Sequence, residues 1–302
     1  MAEAAADEPT SQPTGEPTSQ PTGDPPQPAD TNADTPGAAS LVPPPEWILA
    51  RVTEAESRLR ASEPGQLLLR SIETHGGLGS WFEQGPLHFR FDYQPLGDGA
   101  RRDTRQIIDT WSARAWHQLS ADESATFGWT GDQAWSTFDP EGASVRPRFW
   151  ALTPYYFVAM PFVAADPGVV LSLDGEGEVD GVPADLVRVG YEAGVGDAPD
   201  DYYVLYLAKD NGRLLGLRYI VSYPGFFEEG QHSPEKFMRF DDATRVNGML
   251  LPGSLPTFRY DMATGEVGDQ VTGITVSEIR FAPDTPVDRF EMPEGATVID
   301  GL

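Results

Sequence analysis

"DYYVLYLAKDNGRLLGLRY" spans residues 201–219 and reads as two strands folded back on each other. Large apolar and aromatic residues fill both arms, and Asp210-Asn211-Gly212 between them supplies the positive backbone angles that a tight hairpin requires. Strands joined by so short a turn run antiparallel, because a parallel pair needs a crossover of a dozen or more residues. The same logic extends in both directions. In LHFRFDYQ (87–94) Phe89, Phe91 and Tyr93 alternate with His88, Arg90, Asp92 and Gln94, the pattern of a half-buried strand. Period-two segments recur at RQIIDTWS (105–112), RAWHQLS (114–120), SATFGWT (124–130) and QAWSTF (133–138). They resume at VVLSL (169–173) and ADLVRVGY (184–191), then again at 235–246, 249–260 and 271–282. The expected fold is therefore mainly β with a few helices (α+β). It is a single curved antiparallel sheet, or half-open β-barrel, of about 11–12 strands with helices covering the concave face.

Two regions depart from this period. Residues 45–75 read as helical: Trp47, Ile48, Val52, Ala55 and Leu59 recur at helical spacing, and Pro45 sits where a first-turn proline is tolerated. Ser62-Glu63-Pro64 restarts the helix as a cap, and Gly76-Gly77 end it. The second region, FWALTPYYFVAMPFVAADPG (149–168), interrupts the strand series with almost no charge. Pro154 can open a helical turn and Pro161 closes it. A short helix apolar on every side has to be enclosed, so residues 149–164 are expected to plug or lid the mouth of the curved sheet.

Composition sets the outer limits. The 302 residues carry a formal charge of −26 and no cysteine. Disulfides, thiolate nucleophiles and Cys-ligated metals are thereby excluded, and nucleic acid or an anionic bilayer would be repelled. Residues 1–45 hold eleven prolines, no aromatic residue, no Lys or Arg, and a tandem octapeptide, EPTSQPTG at 8–15 and 16–23. That segment is expected to be a disordered tail or tether ahead of one domain at 46–302. No stretch approaches the length of a membrane span, and the first residues lack the basic and apolar regions of a signal peptide. A spacer of this composition is what remains when a signal peptide has been removed from an envelope protein, which sets the expected location.

The order and spacing of several segments resemble the outer-membrane lipoprotein-sorting group. They are THGGLGSW (74–81), LHFRF, WTGDQAW (129–135), the FW…PYYF…MPF…DPG run, the opening hairpin, RFDDATRVNGMLLP (239–252) and RFEMPEGA (289–296). Within that group the match is to LolA/LolB-like envelope proteins of an uncharacterised branch. The resemblance implies an unclosed barrel of about eleven antiparallel strands whose helix-covered hollow holds acyl chains. It implies a non-enzymatic monomer, with lipid or lipoprotein acyl chains as partners and no cofactor.

Catalytic signatures are missing from the sequence. His75 sits where a helix ends, His88 and His117 fall in separate strands, and His232 lies in a polar loop, so no metal pair is formed. DGEGEVDG (174–181) lacks the sixth-position glycine and twelfth-position glutamate of a calcium loop and reads as a hairpin turn. Asp241-Asp242 and the other adjacent acids point to opposite strand faces. The aromatic residues carry what signal remains. An apolar cavity and its lid would be lined by Phe89, Phe91, Tyr93, Trp129, Trp135, Trp150, Tyr155, Tyr156, Phe157, Met160 and Phe162. The alternatives are a core that the protein fills with its own side chains and, more remotely, a carboxylate-based hydrolase.

Overall fold

The computed structural model describes residues 41–195, 198 and 200–299, which fall in one compact unit. Residues 1–40 of the expected tail lie outside the described residues. Leu41 is already part of the folded body, buried against Ile107 and Phe290.

Three helices open the chain: α1 (Pro45–Arg60), α2 (Glu63–His75) and α3 (Leu78–Glu83). Proline stands in the first turn of α1, and Glu56 pairs with Arg60 at 2.7 Å one turn on. The Ser62 hydroxyl accepts from the Gly65 amide at 3.3 Å to start α2. Gly65 has no alternative, since a Cβ there would lie 2.1 Å from the Leu59 carbonyl at the α1–α2 corner. The sequence reading stops at Gly76-Gly77 and misses α3. Its Leu-Gly-Ser start has little helical preference, and burial of Leu78, Trp81 and Phe82 holds it in place.

Five strands follow: β1 (Leu87–Pro95), β2 (Arg102–Ile108), β3 (Ala115–Leu119), β4 (Asp122–Trp129) and β5 (Ala134–Ser136). The central segment then forms α4 (Pro147–Trp150), α5 (Thr153–Val158) and a 3₁₀ turn at Phe162–Ala165. The second half adds β6 (Val169–Val179), β7 (Val182–Tyr191), β8 (Tyr203–Ala208), β9 (Leu214–Tyr219) and β10 (Lys236–Arg239). Next come β11 (Thr244–Val246), β12 (Met249–Leu251), β13 (Thr257–Asp261), β14 (Glu266–Phe281) and β15 (Thr297–Ile299). Thirteen strands form one antiparallel sheet in the order β15-β5-β4-β3-β2-β1-β14-β13-β10-β9-β8-β7-β6, and β11 pairs with β12 separately. The two edge strands do not meet, so the curved sheet stays open.

The helices and the central segment pack on one face. There Leu59, Leu68, Ile72 and Trp81 join Phe89, Phe91, Leu205 and Leu217 in a single apolar core. The opposite face of β1 and β2 is polar, with Arg90 paired to Asp103 at 2.6 Å and Arg101 to Asp92 at 2.6 Å. Further along the sheet, the β6–β7 hairpin rolls over this outer face. Its acidic run, expected as a turn after residue 173, continues as strand because its charges find partners. Asp174 meets Arg218 of β9, and Asp180 meets Arg239 of β10 at 3.3 Å. Gly177 permits the roll, since a Cβ there would already lie 3.1 Å from the Tyr206 ring.

Candidate functional site

The hollow of the sheet is occupied by the segment 147–165, which we call the lid. Strand alternation puts Phe89, Phe91 and Tyr93 on the floor beneath it, and the lid's rings meet them edge-on. Trp150 stands 5.9 Å from Phe91 and 5.5 Å from Tyr93. Phe162 stacks on Trp81 of α3 at 4.4 Å with the rings 7° from parallel, and Phe157 reaches Tyr219 at 5.0 Å. Trp150, Tyr155, Phe157, Met160 and Phe162 are all buried in the same core as Phe89 and Phe91. Tyr93, Trp129 and Tyr156 are half-buried at its margin. Trp135 lies elsewhere. It pairs with Gly128 while Trp129 pairs with Ala134, and directly opposed residues share a face, so Trp135 points away from the hollow. A Cβ on Gly128 would strike its ring at 2.8 Å.

The lid is tied down by polar contacts at its two ends. Near its start, the Ala151 carbonyl accepts from Nε2 of His117 at 2.8 Å. His117 is fully buried on β3 and stacks on Phe127 at 4.5 Å. A carbonyl can only accept, so Nε2 carries the proton and the ring is neutral. Burial lowers the His117 pKa to about 4. Its Nδ1 has no partner, nor does Oε1 of Gln106, the residue directly opposite on β2.

At the other end two arginines of α1 hold the chain where the 3₁₀ turn stops. Arg58 donates to the carbonyls of Ala165 at 2.6 Å and Asp166 at 3.0 Å, and Arg51 donates to the Asp166 carboxylate at 2.8 Å. Asp166 keeps 44% of its side chain open to solvent. Even so, desolvation outweighs both arginines and raises its pKa to about 6. Tyr191 and Tyr203 are both half-buried, and burial pushes their phenols well above the usual range.

His117, Arg51, Arg58 and Asp166 were not singled out by the sequence reading. The signals were present. Alternation in RAWHQLS puts His117 on the face of Ala115 and Leu119, and a spacing of seven aligns Arg51 with Arg58 on one side of α1.

Outside the hollow, an open cleft of about 710 Å³ lies along α1 and α3, walled by Val42, Pro44, Ile48, Leu49, Val52 and Gly79. Glu83 is its one charged lining residue. Among the described residues no group of His, Asp and Glu could hold a metal ion, and no helix is long and apolar enough to cross a membrane.

No family model matches the chain, and no curated protein matches it by sequence. Solved structures do. A LolA superfamily protein from Nitrosomonas europaea aligns at 12% identity and a TM-score of 0.49, over 75% of this chain and 96% of that one. A DUF1329 family protein from Desulfovibrio piger aligns at 14% identity and a TM-score of 0.50, over 80% of this chain and 97% of that one. The fold is shared with the DUF1329 family protein. At these identities the likeness concerns the fold alone. The two polar anchors of the lid are read from this chain's own residues.

Proposed function

We propose that the protein is a non-enzymatic component of the cell envelope that binds a lipid, or the acyl chains of a lipoprotein, under the lid of its curved sheet. The observation that carries this reading is the asymmetry of the lid's attachment. One end is bonded inside a dry core, and the other is held at a carboxylate whose side chain stays 44% exposed. A lid attached in this way swings about Ala151 and lifts at Asp166. Lifting exposes Phe89, Phe91 and the ring faces of Trp81 and Tyr219, a surface that hydrocarbon covers at about 0.8 kcal/mol for each methylene enclosed. Met160 and the tyrosines of the lid suit such a role, because thioether and phenol side chains adapt to irregular apolar partners.

A second reading is favoured by the burial itself. The aromatic floor and the lid already touch, so the closed protein fills its own hollow, and an interaction module with a permanent core has the same geometry. Organic extraction of the purified full chain, followed by mass spectrometry, separates the two. Stoichiometric copurified lipid supports the carrier, and repeated blanks after expression in an envelope-bearing host support the filled core. Gly79→Phe assigns the place. A side chain there meets nothing within 4 Å and projects into the cleft, so lipid retained by this variant lies under the lid instead.

A further inference from the structure

We infer that one end of the sheet is a docking fringe for the surface of a zwitterionic phospholipid bilayer. The turns β1–β2, β13–β14 and β9–β10 follow one another along the same end, because their strands are neighbours in the sheet. Each turn presents a large apolar side chain to solvent. Leu96 is 61% exposed, Met262 66% and Phe226 40%. Single exposed apolar residues are ordinary on any surface, but these three stand on successive turns at one end of the sheet. Two arginines stand beside them. Arg102 lies over the Tyr93 and Trp150 rings at 5.1 and 5.3 Å and donates to the Ser144 carbonyl. Arg146 lies over the Phe226 ring at 4.5 Å and donates to the Gly225 carbonyl. Among the described residues neither forms an ion pair with a carboxylate, in a chain whose acids outnumber its bases by 26. Guanidinium groups stacked on aromatic rings beside apolar tips match the interfacial layer of a bilayer, where phosphate oxygens lie just above hydrocarbon.

Charge decides which bilayer. The same turns carry Glu228, Glu229 and Asp261, and the whole chain repels an anionic surface at long range. A zwitterionic headgroup offers its phosphate to the arginines without that repulsion. The fringe lies outside the hollow, so this inference stands independently of the lipid-carrier reading.

Co-flotation of the full chain with phosphatidylcholine vesicles, and with vesicles containing phosphatidylglycerol, tests it. The wild type is expected to float with the former and to bind the latter more weakly at low salt. The triple variant Leu96→Ser, Phe226→Ser, Met262→Ser should lose about tenfold or more in partition. Arg102→Gln with Arg146→Gln should lose about three- to fivefold. Leu96 and Met262 are exposed, while Phe226 packs on Phe149 and Tyr223 and both arginines lie over rings, so an unchanged melting temperature of each variant is required to certify the fold. No flotation by the wild type, flotation of the triple variant at the wild-type level, or a preference for anionic vesicles at low salt would each overturn the inference. Copurified lipid is read from extraction and vesicle binding from flotation, so the two proposals fail separately.

Discussion

The two ends of the lid invert the usual rule that more hydrogen bonds make a firmer attachment. The Ala151 end has one bond from one neutral imidazole. The Asp166 end has two arginines, three good bonds and a charge pair. What differs is whether water can take the place of a lost partner. Inside the core a freed Ala151 carbonyl would have no substitute, at a cost of about 1–3 kcal/mol. At the Asp166 end the carboxylate is 44% exposed, so solvent can replace part of what Arg51 supplies there, although Ala165, whose carbonyl Arg58 also holds, is buried. The contact with fewer bonds is the pivot, and the one with more is the latch.

The comparison can be broken most severely at the stacked rings that link the lid to α3. Phe162→Ala and Trp81→Ala should each cost about 3–5 kcal/mol in denaturant unfolding, because the lid in its closed state is part of the core. A loss below about 1 kcal/mol would mean that the lid is not packed as described. The pivot comes next. His117 has a folded pKa of about 4 against about 6.5 unfolded. The folded state therefore resists its protonation, and stability present above pH 6.5 is lost as pH falls toward 4. His117 alone can account for about 3 kcal/mol of that loss. His75 and His88, each lowered to about 4 by burial, act in the same direction. In His117→Gln the slope of stability against pH over this window should flatten by about one proton's worth, which equilibrium unfolding at several pH values will read.

At the latch the effects are smaller and more local. Arg58→Ala should change global stability by about 1 kcal/mol or less, yet accelerate amide exchange around residues 164–166. Asp166 gives the smallest signal and the least intuitive sign. Its folded pKa, about 6, lies above the unfolded carboxylate value, so the closed state favours the protonated form. Acidification through pH 6 should hold the latch end more firmly, and Asp166→Asn should abolish that dependence. Looser closure of the wild type at pH 5 than at pH 7 would contradict the raised Asp166 pKa.

Much of the fold was legible in short segments. The hairpin around Asn211-Gly212, the alternation of LHFRFDYQ and the capped restart at Ser62 all depend on residues within a turn or two of each other. The strand count rose because 235–246 and 249–260 each read as one segment and fold as two strands, and because β15 was not read; one strand's length was misjudged for a tertiary reason. The acidic end of β6 reads as a turn until Arg218 and Arg239 are known to lie against it. The lid was legible as an apolar insertion between prolines, and its aromatic floor as the inward face of β1. Trp135 was misplaced because assigning its face requires the β4–β5 register, which puts it opposite Gly128. The anchors were illegible for the same reason. A histidine and two arginines become a pivot and a latch only when sequence separations of 34 and more than 100 residues close to hydrogen-bond length.

Amide hydrogen exchange resolved along the lid is the most direct test of that arrangement, with Trp150–Leu152 read against Ala164–Asp166 in the same molecule. The account predicts that the Asp166 end exchanges well before global unfolding while the Ala151 end does not, and that Arg58→Ala widens the gap. Equal protection at both ends, lost together at the rate of whole-protein unfolding and unmoved by Arg58→Ala, would show that the segment is fixed core and that nothing opens.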